Sequence, residues 1–468
     1  FRYTPCREKG CASNVHRTKC DHPSTSRGMV DVPHTRRFNT VVTAQQILDE
    51  DWFGLVCVSV QPCKSLTPLI EYYDPVKKKL ILGCEKIEEV WIPTCILKPA
   101  LKYGDKLLKV FSYHKYRRVK GFNDDLVMKL FVKKECASRD EPEDLEEYAR
   151  RYDETFGTDF GDMLRDSSGS WGYDSSKRSL YKILMNCGWG KHCQDPHLKN
   201  SLVLNDLEDQ VAISSFVNNV EKENFRVKSI NNVGTDIRVF EYEDDKENLK
   251  PNLHNSYIPG AIFVTAYGRL QLWSEMRRIE ASNYPGASRR VRYCDTDSMI
   301  YRKSGGGLYN TPETEGLGGW LNEHKPEMGG IAELVTLGPK TYSYKHGNGT
   351  CSPCKTKGVR LNYSTESIVN FNAFKTMVFD QLEKLKEDRE EGMVDGFRRT
   401  NNLLVPQVIF GLNKDRDMVT KRMLKRLGVN INDMKGDVQE DGTLLPFGYH
   451  EAPEREVMVG DWNLSYGL

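Results

Sequence analysis

The chain has 468 residues, 38% of them hydrophobic and 28% charged, the balance of a globular protein with more than one domain or one large, lobed one. No run of 18 apolar residues occurs, so neither a membrane-spanning helix nor a membrane partner is expected. The 67 Lys and Arg are offset by 66 Asp and Glu, leaving a net charge of +1, so any grip on a polyanion has to come from local patches. Thirteen cysteines, behind a start (FRYTPCREKG) without the apolar core of a secretory signal, predict free thiols in a reducing, intracellular compartment.

Residues 1–37 are rich in Cys, Arg, His and Ser and show no hydrophobic periodicity. They contain Cys6, Cys11, His16, Cys20 and His22, whose spacing fits no common zinc module. From 52 to 120 the runs FGLVCVSVQP, KLILGCE and LLKVFSYHKY predict strands interleaved with short helices, ending in a first basic patch at Arg117, Arg118 and Lys120. Helices are expected over about 124–136 and 143–155, followed by a Gly/Ser/Asp linker over 157–176. Over 177–191 the string KRSLYKILMNCGWGK reads as a helix with Arg178, Lys182 and Asn186 at i, i+4 and i+8 along one face. Trp189 falls near that stripe, Gly190 can terminate the helix, and Leu184 and Met185 point elsewhere, where they can pack. Two cations and an amide in line suit a triphosphate and a base pair; a solvated basic face has the same pattern.

Residues 193–258 are polar and include the acidic stretch EYEDDKEN, which describes an insertion and a disordered loop equally well. The amphipathic stretch AIFVTAYGRLQLWS at 261–274 places Thr265 and Arg269 on one helix face, with Gly268 costing about 1 kcal/mol of helix propensity. Arg289, Arg290 and Arg292 form a second basic patch. It adjoins YCDTDS at 293–298, where Asp295 and Asp297 lie between apolar runs that predict two short strands meeting at a tight turn. Clustered carboxylates repel and need a cation, and hard oxygen ligands favour Mg²⁺. Mg²⁺ beside an exposed acid pair is the usual apparatus for phosphoryl or nucleotidyl transfer, and a polar β-turn is the plain alternative. Downstream come GPKTYSY with Lys340 and Tyr342, a lone C-x-x-C at Cys351 and Cys354, Lys357-Gly358, a long charged helical stretch from Val369, and LPFGY at 445–449.

Y-x-D-T-D-S between apolar strands resembles motif C of family B DNA polymerases, the protein-primed branch above all. The adjacent acids of reverse transcriptases do not fit. The 177–191 string resembles motif B, K-x-x-x-N-x-x-Y-G. It is nearer still to the R-S-L-x-K-x-x-x-N-x-x-W-G-K form of virus-like and transposon-encoded (Polinton/Maverick, adintovirus- and bidnavirus-like) protein-primed polymerases, with Cys187 where Ser is common and Trp189 for Tyr. Thr265 to Arg269 is similar to T-x-x-A-R with Gly268 for Ala, Lys340 and Tyr342 match K-x-Y, Lys357-Gly358 resembles the start of the thumb, and LPFGY the closing segment. In order and at sensible spacing, these cover roughly residues 40 to 450.

The resemblance implies an α+β fold with right-hand polymerase architecture: an antiparallel-sheet palm at 38–121 and 259–350, helical fingers at 122–192, an insertion at 193–258 and a mixed helical thumb at 351–468. Residues 1–37 stay unassigned. It implies Mg²⁺-dependent nucleotidyl transfer from a dNTP to a primer or terminal-protein hydroxyl on a DNA template. Asp295 and Asp297 would hold two Mg²⁺ ions, Asp297 binding both. Arg178 and Lys182 would contact the triphosphate, Asn186 the nascent base pair, and Thr265, Arg269, Lys340, Tyr342 and Lys357 the primer–template DNA. The third acid of the family, in motif A (D-x-x-S-L-Y-P), has no match. Asp21 lies about 30 residues before Phe53-Gly54 but is followed by H-P-S-T, and Asp31 sits in MVDV with no Ser-Leu-Tyr after it. The upstream exonuclease domain of the family has no match either. The expectation is therefore the C-terminal part of a larger polymerase, or one whose beginning no longer matches. The rival expectation is a catalytically silent, polymerase-derived DNA-binding protein.

Overall fold

The computed structural model describes residues 34–38, 41–74, 79–116, 124–156, 158–193, 200–205, 210–220, 225–232, 237–244, 257–283, 289–314, 317–390, 402–412, 418–429, 437–438 and 444–449. The N-terminal Cys/His cluster, Asp21, Asp31 and the basic patch at Arg117, Arg118 and Lys120 lie outside the described residues.

In chain order the elements are β1 (His34–Arg37), α1 (Ala44–Asp49), β2 (Gly54–Gln61), β3 (Glu71–Asp74), β4 (Lys79–Leu82), β5 (Ile87–Pro93), α2 (Thr94–Tyr103) and β6 (Lys106–Lys115). The helices α3 (Asp124–Cys136), α4 (Leu145–Phe156), α5 (Thr158–Arg165) and α6 (Ser175–Gly190) follow. Next come β7 (Asn200–Asn205), α7 (Gln210–Val220), β8 (Phe225–Asn232), β9 (Ile237–Asp244), α8 (Ile258–Ala281), β10 (Val291–Asp295) and β11 (Ser298–Tyr301). The chain continues through β12 (Ile331–Gly338), β13 (Thr341–His346), α9 (Tyr363–Glu366), α10 (Phe371–Glu390), β14 (Asn402–Leu412), β15 (Met418–Gly428), β16 (Asp437–Val438) and β17 (Leu444–Leu445). Every ladder between these strands is antiparallel, so the chain is of the α+β class. The described residues divide into two compact units, one drawn from Phe1–Gln194, Asn255–Trp320 and Pro446–Leu468, the other from Asp195–His254 and Leu321–Leu445.

In the first unit a four-stranded sheet runs in the order β1-β6-β2-β5. Its central strand β2 is buried over seven residues, as the continuous apolar run GLVCVSV requires of a strand covered on both faces. Val56, Val58 and Val60 pack with Ile92 and Val110 of the neighbouring strands, Leu97 and Ala100 of α2, and Leu270 and Trp273 of α8. Each fully buried aliphatic side chain of this kind contributes about 1.5–3 kcal/mol. Helix α2 stops at Gly104, whose left-handed φ of 113° lets its N–H reach the carbonyls of Ala100 and Leu101. Helix α8 is tied down by the Trp273 indole, which donates to the Thr67 carbonyl at 2.8 Å, and by Arg277 lying 4.6 Å over the Tyr103 ring.

A second core in this unit joins α3, α4 and α5 around Phe131, Tyr148, Tyr152, Phe160 and Leu164. The linker expected over 157–176 is corrected here, because it contains α5. Phe160, Met163 and Leu164 stand at i, i+3 and i+4, and burying them against Phe131 and Tyr152 outweighs the local Gly and Asp content. Inside the bundle the Tyr148 hydroxyl accepts from Arg139 at 2.6 Å and donates to Glu135 at 3.2 Å. Burial alone would raise the Glu135 carboxyl; Lys134 and Arg139 outweigh it and hold the group below its usual range.

In the second unit, β7, β9 and β8 form a three-stranded sheet accompanied by α7. The described part of 193–258 is thus an ordered strand and helix segment, and the disordered-loop alternative does not hold for it. The other core of this unit gathers Val335 and Leu337 of β12, Phe374 and Met377 of α10, Val405 of β14 and Leu427 of β15. The charged helical stretch from Val369 is α10, as expected. Beyond it the sequence analysis foresaw no sheet, yet β14 and β15 form a regular hairpin with eleven facing pairs. Its alternation is that of a half-buried ribbon: Val405 and Gln407 turn inward while Leu404 and Val408 are exposed. Cys354 belongs to this unit's core, its thiol pushed up by burial, and among the described residues no group of three His, Cys, Asp or Glu could hold a metal ion. No helix among the described residues is long and apolar enough to cross a membrane.

One buried carboxyl sets a pH dependence. Asp105, directly after the α2 cap, is 7% exposed; its Oδ1 accepts from the Cys63 N–H at 2.8 Å, and Oδ2 has no hydrogen-bond partner. Burial pushes its pKa up, against the pull of the bonds from Cys63. A carboxyl raised on folding contributes most at low pH, and stability falls as pH rises from its ordinary value of 3.8 through the raised folded value. Asp105→Asn keeps the acceptor and removes the charge. Urea unfolding of the variant should show higher stability than wild type at pH 7, and the two should converge near pH 4.

Candidate active site

The acid turn lies at the tip of β10 and β11. Asp295 faces Ser298 across the hairpin, leaving Thr296 and Asp297 as the two-residue connection. The Asp297 N–H donates to the Asp295 carbonyl at 2.7 Å, closing a three-residue turn centred on Thr296, whose φ is +59°. A β-branched residue rarely takes a left-handed φ, and holding one there costs of order 1–3 kcal/mol. The Thr296 hydroxyl donates to Asp295 Oδ1 at 2.9 Å and the Ser298 hydroxyl to the Asp295 carbonyl at 3.1 Å. The turn thus places Asp295, half-buried, and Asp297, exposed, on either side of one strained residue. Two carboxylates set this way are a donor set that fits Mg²⁺, which is commonly held by one or two protein carboxylates together with substrate phosphates.

The base of the hairpin is where the structure departs most from the sequence analysis. Arg289, Arg290 and Arg292 read as a surface patch, but Arg290 is 0% exposed and Arg289 is half-buried; of the three only Arg292 is exposed. The Arg290 guanidinium donates to the carbonyls of Ile279 (3.3 Å), Arg302 (3.1 Å) and Tyr309 (2.6 Å), to the Ser282 hydroxyl (3.0 Å) and to Asn310 Oδ1 (2.5 Å). Its backbone N–H and that of Val291 donate to the Glu280 carboxylate, at 3.0 and 2.7 Å to Oε1. The Arg302 N–H returns to the Arg290 carbonyl at 2.8 Å. The patch reading fails because β10 carries an irregularity between Val291 and Tyr293, which breaks the alternation that would have paired Arg290 with Arg292.

Of the other predicted site residues, Arg178, Lys182 and Asn186 lie along α6 and all three are exposed. Asp174 caps that helix, accepting from Ser176 and Lys177. Leu184 does not pack as expected: Leu180, Ile183 and Leu184 are all exposed, and only Met185 reaches the core of the three-helix bundle. Helix α6 runs on past Gly190 into a short 3₁₀ turn at Lys191–Cys193 and touches α8.

On α8, Thr265 is exposed and its hydroxyl donates back to the Ala261 and Ile262 carbonyls. Arg269, one turn later, is half-buried and pairs with Glu71 of β3, with a further donation to the Pro68 carbonyl at 3.4 Å. Burial lowers the Arg269 pKa and Glu71 counters it. Desolvation pushes the Cys294 thiol up, Glu71 and Asp295 add to it, and Arg289 and Arg269 oppose it. Glu71 and Glu280 were missed in sequence: neither lies in a motif, and each acts by contact with a residue ten or more positions along the chain.

In the second unit, Lys340 takes a left-handed φ of 58° at the β12–β13 turn and is exposed, with Tyr342 half-buried two residues on. Tyr342 exchanges backbone bonds with Lys355, and the Lys357 N–H donates to the Thr341 hydroxyl at 3.3 Å, so the structure brings Lys357 beside Lys340 and Tyr342.

The strain at Thr296 is measurable. Asparagine tolerates a left-handed φ far better than threonine, so Thr296→Asn should raise the unfolding free energy by about 1 kcal/mol, read by urea denaturation. No protein-family model matches the chain, and no curated protein or solved structure matches it either.

Proposed function

We propose that this chain is the palm, fingers and thumb portion of a protein-primed family B DNA polymerase, a Mg²⁺-dependent nucleotidyltransferase extending a primer or terminal-protein hydroxyl on a DNA template. The observation that carries the reading is the acid turn, with two carboxylates flanking the tip of a hairpin whose base is locked into the surrounding fold. An exposed line of Arg178, Lys182 and Asn186 on a helix touching α8 supports it.

On this reading Asp297 and Asp295 hold the metal. When bound, Mg²⁺ lowers the pKa of the attacking hydroxyl and neutralises the leaving pyrophosphate. Arg178 and Lys182 orient the triphosphate and absorb the charge that develops on it, and Asn186 places the nascent base pair. Thr265, Lys340, Tyr342 and Lys357 hold DNA through its backbone, which gives salt-sensitive binding with little sequence preference. Arg269 serves this surface while paired to Glu71, so it acts as a fixed element of the wall. A third carboxylate is to be sought at Asp21 and Asp31.

Single-nucleotide extension of a primed template by the purified chain with Mg²⁺ tests the reading. Asp297→Ala should lower incorporation by about a thousandfold or more while DNA affinity stays within about twofold. Lys182→Ala should act mainly on the KM for dNTP, raising it about tenfold. Equal incorporation by Asp297→Ala and wild type sinks the assignment. No incorporation by wild type, with DNA binding retained, makes the chain a DNA-binding derivative of a polymerase.

A further inference from the structure

We infer that Arg290 is a positioning residue for the acid turn: its guanidinium sets the angle and height at which Asp295 and Asp297 are presented, without touching substrate or metal. The inference rests on reading those two aspartates as the working acid pair. The observations behind it are geometric.

Arg290 is the largest fully buried side chain among the described residues, yet its acceptors are three carbonyls, a hydroxyl and an amide oxygen, with no carboxylate among them. A buried cation held by neutral dipoles has no partner charge to follow and is fixed by the fork geometry of its donors. Those five acceptors come from three separate pieces of chain. Ile279 and Ser282 belong to the C-terminal end of α8, Arg302 follows β11, and Tyr309 and Asn310 lie in the loop beyond. The Ile279 carbonyl is one of the four that an α-helix leaves without intrahelical partners, so a cation there also meets the negative end of the helix dipole.

The other pieces are themselves pinned. The Tyr309 hydroxyl donates to the buried Glu275 of α8 at 2.7 Å, the Thr311 N–H donates to the Tyr301 hydroxyl at 3.1 Å, and Asn310 Nδ2 returns to the Ser304 carbonyl at 2.8 Å. The hairpin is therefore gripped from both sides at its base. Asp295 lies five residues along the chain from Arg290, at most ~16 Å at the usual rise. Over such a separation the attraction between the guanidinium and the acid pair is small beside the five hydrogen bonds that fix the hairpin's base. What passes from Arg290 to the acids is position.

The charge-retaining variant separates the two possibilities. Arg290→Lys keeps a cation but cannot span five acceptors. Hydrogen–deuterium exchange of the 291–301 segment in the full chain should rise at least tenfold, while exchange in the α3–α5 bundle stays as in wild type. In the extension assay kcat should fall 10- to 100-fold, the range seen when groups behind metal ligands are removed, with KM for dNTP within twofold and a higher Mg²⁺ requirement. Ser282→Ala removes one acceptor of the guanidinium, together with the hydroxyl's own bond to the Ile279 carbonyl, and should move the same readouts in the same direction by about two- to fivefold; it is the deciding variant if Arg290→Lys does not fold. Wild-type exchange at 291–301 in the deciding variant overturns the inference, and so does a loss confined to KM. If the wild-type protein incorporates no nucleotide, the polymerase reading fails, and the exchange measurement still decides whether Arg290 positions the turn.

Discussion

A fully buried guanidinium holds the base of the β10–β11 hairpin in place. Burying an ion is expensive unless every donor finds an acceptor, and Arg290 meets that requirement with three backbone carbonyls, the Ser282 hydroxyl and the Asn310 amide oxygen. The arrangement is mutual. The end of α8 needs a cap, the β10–β11 hairpin is too short to be stable alone, and the loop through Tyr309 and Asn310 has backbone carbonyls to satisfy. One side chain answers all three needs, so the end of α8, the hairpin and the loop form a single mechanical piece.

That rigidity explains how the strained turn persists. Thr296 at φ +59° is a conformation the local sequence disfavours, and a two-stranded ribbon free to fray would relax it. With the base fixed, relaxation would require breaking the Asp297 to Asp295 backbone bond or the bond from the Thr296 hydroxyl to the Asp295 carboxylate. Glu280 reinforces the fixed end by accepting the N–H groups of Arg290 and Val291, where the strand begins. On the polymerase reading, the acids at the tip are set in place ahead of cation and substrate, the condition under which carboxylates act without reorganising.

Much of this was legible in the sequence, and the limits are physical. The hairpin at YCDTDS, the helices over 124–136 and 177–191, and the buried strand FGLVCVSV follow from periodicity and turn chemistry that depend only on near neighbours. The helix at Thr158–Arg165 was hidden because Gly161 and its aspartates carry loop composition, while the decisive contacts of Phe160 and Leu164 come from α3 and α4. Arg290 was unreadable for a sharper reason. Beside Arg289 and Arg292 its charge argued for solvent, and only the irregularity in β10 and acceptors up to twenty residues away turn it inward. Charge predicts exposure until the fold offers a full set of acceptors, and no local pattern announces that it will.

The use of arginines also bears on how a nearly neutral chain could hold a polyanion. Arg290 is spent on α8 and the loop after β11, Arg269 on Glu71, and Arg277 lies over Tyr103, so these charges stabilise the fold and are set in place by it. The exposed cations among the predicted site residues are Arg178 and Lys182 on α6 and Lys340 and Lys357 beside Tyr342. Each phosphate neutralised contributes a slope of about −0.9 to the dependence of log affinity on log salt, so four such contacts give a moderate slope, well short of that of a strongly basic protein. On the polymerase reading, a grip of this strength suits a protein that has to move along its template after every addition.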